Sequence, residues 1–145
     1  MVPDSDPSTP PSVTKGPLPI PALAVAVITA GVHVALDLVY RPWAWRKQFA
    51  DLSFADSFTN FTSVIGLSAV MVLVERRKMW TDPWQAWLVV VAPVVAMIAY
   101  EFLQPLLPWG TFQVSDLVWT AIGGLAVVLL KRWVYDPMFR DNSPP

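Results

Sequence analysis

The chain has 145 residues and a formal net charge of −1, and hydrophobic residues make up 54% of it while charged residues make up only 14%. Because a soluble domain carries roughly 25% charged residues, this composition predicts a small integral membrane protein, and the near-neutral charge argues against nucleic acid as a partner. The chain has no cysteine and a single histidine, which excludes disulfides, thiolate metal sites and metal sites with two histidines.

Residues 1–19 form a polar segment in which proline recurs among serine, threonine and aspartate. Because proline fixes φ and removes a backbone donor, we expect a disordered Pro-rich tail rather than a regular element. The segment begins with acidic residues and has no short apolar core before a small-residue cleavage site, so it does not resemble a signal peptide. A docking peptide for a partner is the alternative interpretation of this tail.

Four apolar runs follow the tail, at Ile20–Tyr40, Phe58–Val74, Trp84–Leu103 and Val114–Leu130. Each approaches the roughly 20 residues that a helix needs to cross about 30 Å of hydrocarbon. None alternates with a period of two, which disfavours a membrane β-barrel. The sequence therefore predicts an all-α integral membrane fold. It consists of a four-transmembrane-helix bundle over residues 20–135, followed by a short C-terminal tail at residues 136–145.

The distribution of basic residues predicts how the four helices are oriented. With four spans, the N-terminal tail, the second loop and the C-terminal tail share one side, which carries seven Lys and Arg residues, while the other side carries three. The positive-inside rule then places both termini in the cytoplasm of a multi-pass protein of the cell membrane. The longest loop, from Arg41 to Ser57, begins with a segment rich in Trp and cations that is typical of the headgroup region.

The polar residues of the spans occur as pairs three or four positions apart, and such residues share a helix face. The pairs are His33 with Asp37, Asp56 with Asn60, Glu101 with Gln104, and Asp116 with Thr120. Since consecutive spans alternate in direction, all four pairs are expected at the same end of the bundle, on the outer side of the membrane. Because charge within a membrane is costly, we interpret these residues as a polar recess with a function in ligand binding.

A structural role for the same residues stays open at this stage. Each pair lies within about two turns of a helix end, where water and headgroups reach it. Ser115 or Asp116 could cap the fourth helix, and His33 with Asp37 could form a polar pair that holds two helices together.

Seven positions of the third and fourth runs also follow a recognisable spacing: Glu101, Gln104, Pro108, Phe112, Ser115, Asp116 and Gly123. This pattern resembles the signature of the VanZ-like membrane proteins, in which Glu-x-x-Gln precedes a short loop with Pro-Gly-Arg and a Phe before Asp-x-x-x-Asn-x-x-Gly. An upstream element of that family, Asp-Lys-x-x-His-Phe, is similar to the segment 56–61. The resemblance covers about residues 50–130.

The chain also departs from this family pattern at four positions. Gly110 stands where the family has its loop Arg, and Thr120 stands where it has Asn. Ser57 and Asn60 stand where the family has Lys and His. Because bidentate binding of a phosphate or carboxylate needs a guanidinium, Gly110 cannot replace that Arg. The carboxylates and the Gln are kept, so the chain resembles a divergent member.

The VanZ-like resemblance implies a function in the cell envelope, since the family is named for low-level resistance to the glycopeptide antibiotic teicoplanin. We therefore expect a contribution to the envelope or antibiotic response, with the bilayer around the helices and an envelope-derived ligand in the recess. A non-catalytic accessory or structural subunit of a larger membrane complex, or a homo-oligomer, is the alternative. A metal-assisted hydrolase that uses the carboxylates and His33 is a third possibility, but no nucleophile–base pair supports it, and we expect neither a metal nor a cofactor.

Overall fold

A computed structural model of the chain describes residues 18–47, 54–75, 82–108 and 111–140, and within these ranges the protein is helical and has no strand. Four helical segments are long and apolar enough to cross a membrane, at Ile20–Lys47, Asp56–Glu75, Pro83–Leu106 and Val114–Phe139. The predicted all-α, four-transmembrane-helix fold is therefore confirmed, and the chain is a multi-pass membrane protein. The predicted disorder of the N-terminal tail concerns residues that lie, up to position 17, outside the described ranges.

Six α-helices make up the four membrane-spanning segments. Helix α1 (Ile20–Ala35) continues through a π-helical turn (Leu36–Tyr40) into α2 (Arg41–Lys47). Helix α3 spans Phe54–Glu75, and α4 spans Pro83–Leu103 and ends in a 3₁₀ turn (Gln104–Leu106). Helix α5 (Val114–Leu130) continues through a second π-helical turn (Lys131–Tyr135) into α6 (Asp136–Arg140).

The first and last helical segments are longer than their apolar runs. Residues 41–47, expected to begin a loop, instead continue the first segment as a helix. The proline at position 42 lies inside this continuous segment, directly after the π-helical turn, where its missing N–H removes one backbone hydrogen bond. Arg41 at the start of α2 pairs with Asp37, one turn earlier, which links the two parts of the segment. The fourth segment likewise extends through Arg140, into the predicted C-terminal tail.

Helix α3 lies at the centre of the bundle and packs against α1, α4 and α5. The side chains of the apolar core include Val64, Val72, Val89, Val127 and Tyr135, all of them fully buried. Two adjacent glycines allow α5 to approach its neighbours. A Cβ on Gly123 would lie 3.1 Å from the Phe61 carbonyl oxygen of α3, and one on Gly124 would lie 2.8 Å from Val94 Cγ2 of α4. Small residues at such crossings are typical of packed membrane helices.

Candidate functional site

A polar cleft of about 740 Å³ opens at the end of the bundle where the first segment and α4 finish and where α3 and α5 begin. We call this cleft the recess. Six of the eight residues selected from the sequence line it: His33, Asp37, Asp56, Asn60, Gln104 and Asp116. The other two, Glu101 and Thr120, are fully buried behind its wall. The fold thus brings the four polar pairs to one end of the bundle, while their role in binding stays a prediction.

Glu101, in the last turn of α4, is the most buried charged residue of this group. Its Oε1 accepts a hydrogen bond of 2.7 Å from Asn60 Nδ2 of α3 and one of 3.1 Å from Gln104 Nε2. Its Oε2 is also buried, but no hydrogen-bond donor from the described residues reaches it. Glu101 Oε1 therefore links α3 to α4, while Oε2 accepts no hydrogen bond from the described residues.

Asp116 lies beside Glu101 and shares this feature. It stands in the first turn of α5 and is only 8% exposed, and it lines the recess. Its carboxyl group lies within hydrogen-bonding range of the Glu101 carboxyl group and repels it electrostatically. Asp116 Oδ1 is buried and has no hydrogen-bond partner in the described part of the chain. Because ionised carboxylates only accept hydrogen bonds, this pair needs a proton or a cation from outside to be satisfied.

The opposite wall of the recess holds two more carboxylates around one guanidinium. Arg41 Nη1 lies 3.1 Å from Asp37 Oδ1, and Arg41 Nε lies 3.3 Å from Asp56 Oδ1. The guanidinium thereby joins the first segment to the start of α3, and it lies 5.9 Å from the centre of the Trp45 ring. The sequence predicted that Arg41 begins a loop, and it did not predict this role. The signal was present, since Arg41 follows Asp37 by four positions.

His33 forms a second link between the first segment and α3. Its Nδ1 lies 3.0 Å from Thr62 Oγ1, and Thr62 donates its own hydroxyl proton to the Thr59 carbonyl oxygen at 2.9 Å. His33 Nε2 faces Asp37 Oδ2 at 3.5 Å. The interpretation of His33 as a residue that holds two helices together therefore agrees with its contacts, and it also lines the recess.

The alternative in which Ser115 or Asp116 caps α5 is not supported by the structure. The residue before α5 is Gln113, and no side chain caps the helix there. Ser115 is already helical, and its hydroxyl accepts a hydrogen bond of 2.9 Å from Ser57 of α3. Asp116 is helical as well, so burial beside Glu101 rather than capping describes its environment. Thr120 Oγ1, one turn further along, is buried and has no hydrogen-bond partner among the described residues.

The recess carries an excess of negative charge. Four carboxyl groups belong to it or lie directly behind it, whereas Arg41 and His33 are the cationic or titratable basic side chains among its described lining residues. No group of three or more His, Cys, Asp or Glu residues in the described ranges is arranged to hold a metal ion. The arrangement can therefore accept hydrogen bonds from a ligand and attract a positively charged group.

Comparisons with family models, with curated proteins and with solved structures find no match for this chain. Gly110, which stands at the position of the loop Arg in the VanZ-like pattern, lies outside the described residues. The guanidinium that the described part of the recess contains is that of Arg41, from a different segment of the chain.

Proposed function

We propose that the chain is a VanZ-like protein of the cell membrane whose recess binds a polar group of an envelope-derived ligand. In this role it contributes to the response to glycopeptide antibiotics. The observation that carries the proposal is the hydrogen bonding of the buried Glu101 to Asn60 and Gln104. Glu101 and Gln104 form the Glu-x-x-Gln element of the VanZ-like pattern, and Asn60 stands at the position where the upstream element has His, so positions from two separate elements meet at one carboxyl group.

Binding agrees with the chemistry of the recess better than catalysis does. Its side chains include carboxylates, amides and hydroxyls that accept or donate hydrogen bonds, and the Glu101 and Asp116 pair has buried oxygens that no donor of the described residues reaches. Burying such an oxygen costs free energy unless a donor forms a hydrogen bond to it. A ligand that brings donors would be held at this point, and we assign no reaction to the site.

The proposed orientation places both termini in the cytoplasm and the recess outside. It rests on the excess of basic residues on the side of the N-terminal tail, the second loop and the C-terminal tail. Single cysteines test this orientation cleanly because the native chain has none. In intact cells, a membrane-impermeant thiol reagent should label Gln113→Cys and leave Lys78→Cys unlabelled. The reverse pattern would place the recess in the cytoplasm and contradict contact with an external ligand.

The function itself is tested by antibiotic susceptibility. Deletion of the gene, or Asp116→Asn in the recess, should change the minimal inhibitory concentration of teicoplanin. Asp82→Asn is the matched control, because Asp82 caps α4 at the other end of the bundle and Asn caps a helix as well as Asp does. Equal susceptibility of the wild type, the deletion strain and the Asp116→Asn strain would contradict the proposal.

The alternative of an accessory subunit gains no separate support from the described surface. Large apolar side chains are exposed around the bundle, and either lipid or a partner helix would cover them. Co-purification of a second protein at fixed stoichiometry in mild detergent would favour this alternative.

A further inference from the structure

An apolar groove of about 440 Å³ adjoins the recess. It lies between α1 and α3, and its walls are formed by small and aliphatic residues, among them Ala26, Ala30, Val34, Gly66 and Val70. The groove exists because these positions carry little side chain. A Cβ on Gly66 would lie 3.3 Å from Thr29 Oγ1, so α1 and α3 are nearly in contact at this level and form the base of the groove.

The groove and the recess form one continuous surface. His33, Ser63 and Met97 line both of them. Along the first segment, the residues at the groove and the recess follow each other at intervals of three and four, from Ala26 and Ala30 through His33 to Asp37 and Arg41. Residues with this spacing share one helix face. The surface therefore changes from apolar within the span to acidic at the end of the bundle, which is the polarity of an amphiphile.

The acidic end of this surface selects for a positive charge. Carboxyl groups outnumber basic groups around the recess, and Glu101 Oε2 and Asp116 Oδ1 are buried acceptors without a donor in the described part of the chain. A protonated amine supplies three N–H donors and a positive charge, which are the two things that this carboxyl pair lacks. The aromatic rings of Trp45 and Tyr100 also line the recess, and such rings attract cations.

We propose that the recess and the groove together bind one amphiphile, with its protonated amine against Asp116, the member of the carboxyl pair that lines the recess, and its hydrocarbon chain in the groove along α1 and α3. This inference rests on the proposed function in that it takes the recess to be a binding site, and it specifies the chemical class of the ligand. The chain gains little on leaving lipid tails for an apolar groove, because both are equally apolar. Selectivity therefore comes from the amine, and the groove fixes where the chain lies.

A photoreactive probe tests this arrangement directly. The protein is purified in a maltoside detergent, which carries no amine, and is irradiated with dodecylamine that bears a diazirine in the middle of its chain. Peptide mapping should place the crosslinks on the residues of α1 and α3 that line the groove. Excess dodecylamine should compete with the probe, whereas dodecanol, with the same chain and no charge, should not.

Two matched pairs of variants separate the amine from the hydrocarbon chain. Asp116→Asn should lower the crosslinking yield about tenfold, the effect of losing one hydrogen bond to a charged group, while Asp82→Asn should leave it unchanged. Ala30→Phe fills the groove and should also lower the yield. Ala24→Phe places the same side chain on the same helix at an exposed position outside the groove, and it should have no effect. Equal helicity of all four variants by circular dichroism verifies that they are folded.

Crosslinks spread evenly over the exposed apolar surface would overturn the proposal. So would equal competition by dodecanol, or an unchanged yield in Asp116→Asn. The outcomes also separate this inference from the proposed function. Absent crosslinking together with an altered teicoplanin susceptibility in Asp116→Asn would overturn the amphiphile site and leave the proposed function standing. Crosslinking as expected, with unaltered susceptibility, would support the amphiphile site and contradict the antibiotic response.

Discussion

The two ends of the bundle both hold charged residues within membrane-spanning segments, but they satisfy these charges differently. At the end opposite the recess, Lys131 Nζ donates to both carboxylate oxygens of Asp136, at 2.9 and 3.0 Å, and lies 4.9 Å from the centre of the Trp87 ring. At the recess end, Glu101 and Asp116 lie side by side, and one buried oxygen of each meets no donor from the described residues.

The difference indicates which end is structural and which is suited to binding. Lys131 and Asp136 belong to one continuous helical segment, so this pair forms within it and is complete without a ligand. The carboxyl pair of the recess lies between α4 and α5, and each carboxyl group has a buried oxygen that no donor of the described residues reaches. Burying a polar atom without a hydrogen-bond partner costs free energy. A π-helical turn occurs at both ends, at Leu36–Tyr40 and at Lys131–Tyr135. This turn by itself therefore does not distinguish the recess end from the opposite end.

The largest loss of stability is expected when the ion pair between Lys131 and Asp136 is broken. Lys131→Met removes the Lys131 ammonium from the Asp136 carboxylate at a position where both side chains are mostly buried, at 11% and 21% exposure. Removing one partner of a buried pair costs about 3 kcal/mol, so unfolding by sodium dodecyl sulfate should require markedly less denaturant. Arg132→Met is the control, since Arg132 is the exposed neighbour of Lys131 and its loss should change the free energy of unfolding by less than about 0.5 kcal/mol. Equal effects of the two substitutions would contradict a structural role for the Lys131 pair.

In the recess, by contrast, we expect a substitution that raises the free energy of unfolding. Glu101→Gln keeps an oxygen that accepts from Asn60 and Gln104, and it places an amide N–H₂ where Oε2 has no donor. Because the Asp116 carboxyl group lies within hydrogen-bonding range of the side chain at position 101, we expect the new amide to donate to it, and a hydrogen bond to a charged group is worth about 1.5 kcal/mol. The variant should therefore be more stable than the wild type in the same denaturant titration, although it weakens binding of the amine probe. Glu101→Ala, which removes both oxygens and the two existing hydrogen bonds, should be less stable than the wild type. Destabilisation by both substitutions would contradict the conclusion that the buried oxygens of Glu101 and Asp116 lack a hydrogen-bond donor.

Periodicity and hydropathy predicted the fold because a membrane span requires a long apolar helix. The four runs and the common end of the four polar pairs followed from spacing and from the alternation of the helices. The burial of Glu101 beside Asp116 could not be predicted, since it depends on how α4 and α5 are rotated about their axes, and packing sets that rotation. The close approach that Gly123 and Gly124 allow is part of that packing.

The end of the first segment shows where hydropathy misleads. Residues after Tyr40 are charged or aromatic, so the apolar run stops there, while the helix itself continues to Lys47. Hydropathy measures the length of chain that lipid accepts, whereas helix formation requires only that the backbone bonds and side chains be satisfied. Asp37 and Arg41 are four positions apart and form an ion pair. This spacing predicts a helix that continues past Tyr40 and a guanidinium near the recess.

The smallest effect is expected from Arg41 itself, whose side chain is 27% exposed. Arg41→Met removes both ion pairs, with Asp37 and with Asp56, but water partly solvates all three side chains. Partly exposed pairs contribute about 1 kcal/mol or less, so the stability should fall only slightly. Binding should respond in the opposite direction, because the recess loses a positive charge and its carboxylates are freed to attract a cation. Stronger crosslinking of the amine probe in Arg41→Met than in the wild type would connect the charge of the recess to its ligand. Weaker crosslinking would instead assign Arg41 to positioning Asp37 and Asp56 for the ligand, and the Arg41→Lys variant, which keeps the charge but not the fork of donors, would then behave like Arg41→Met.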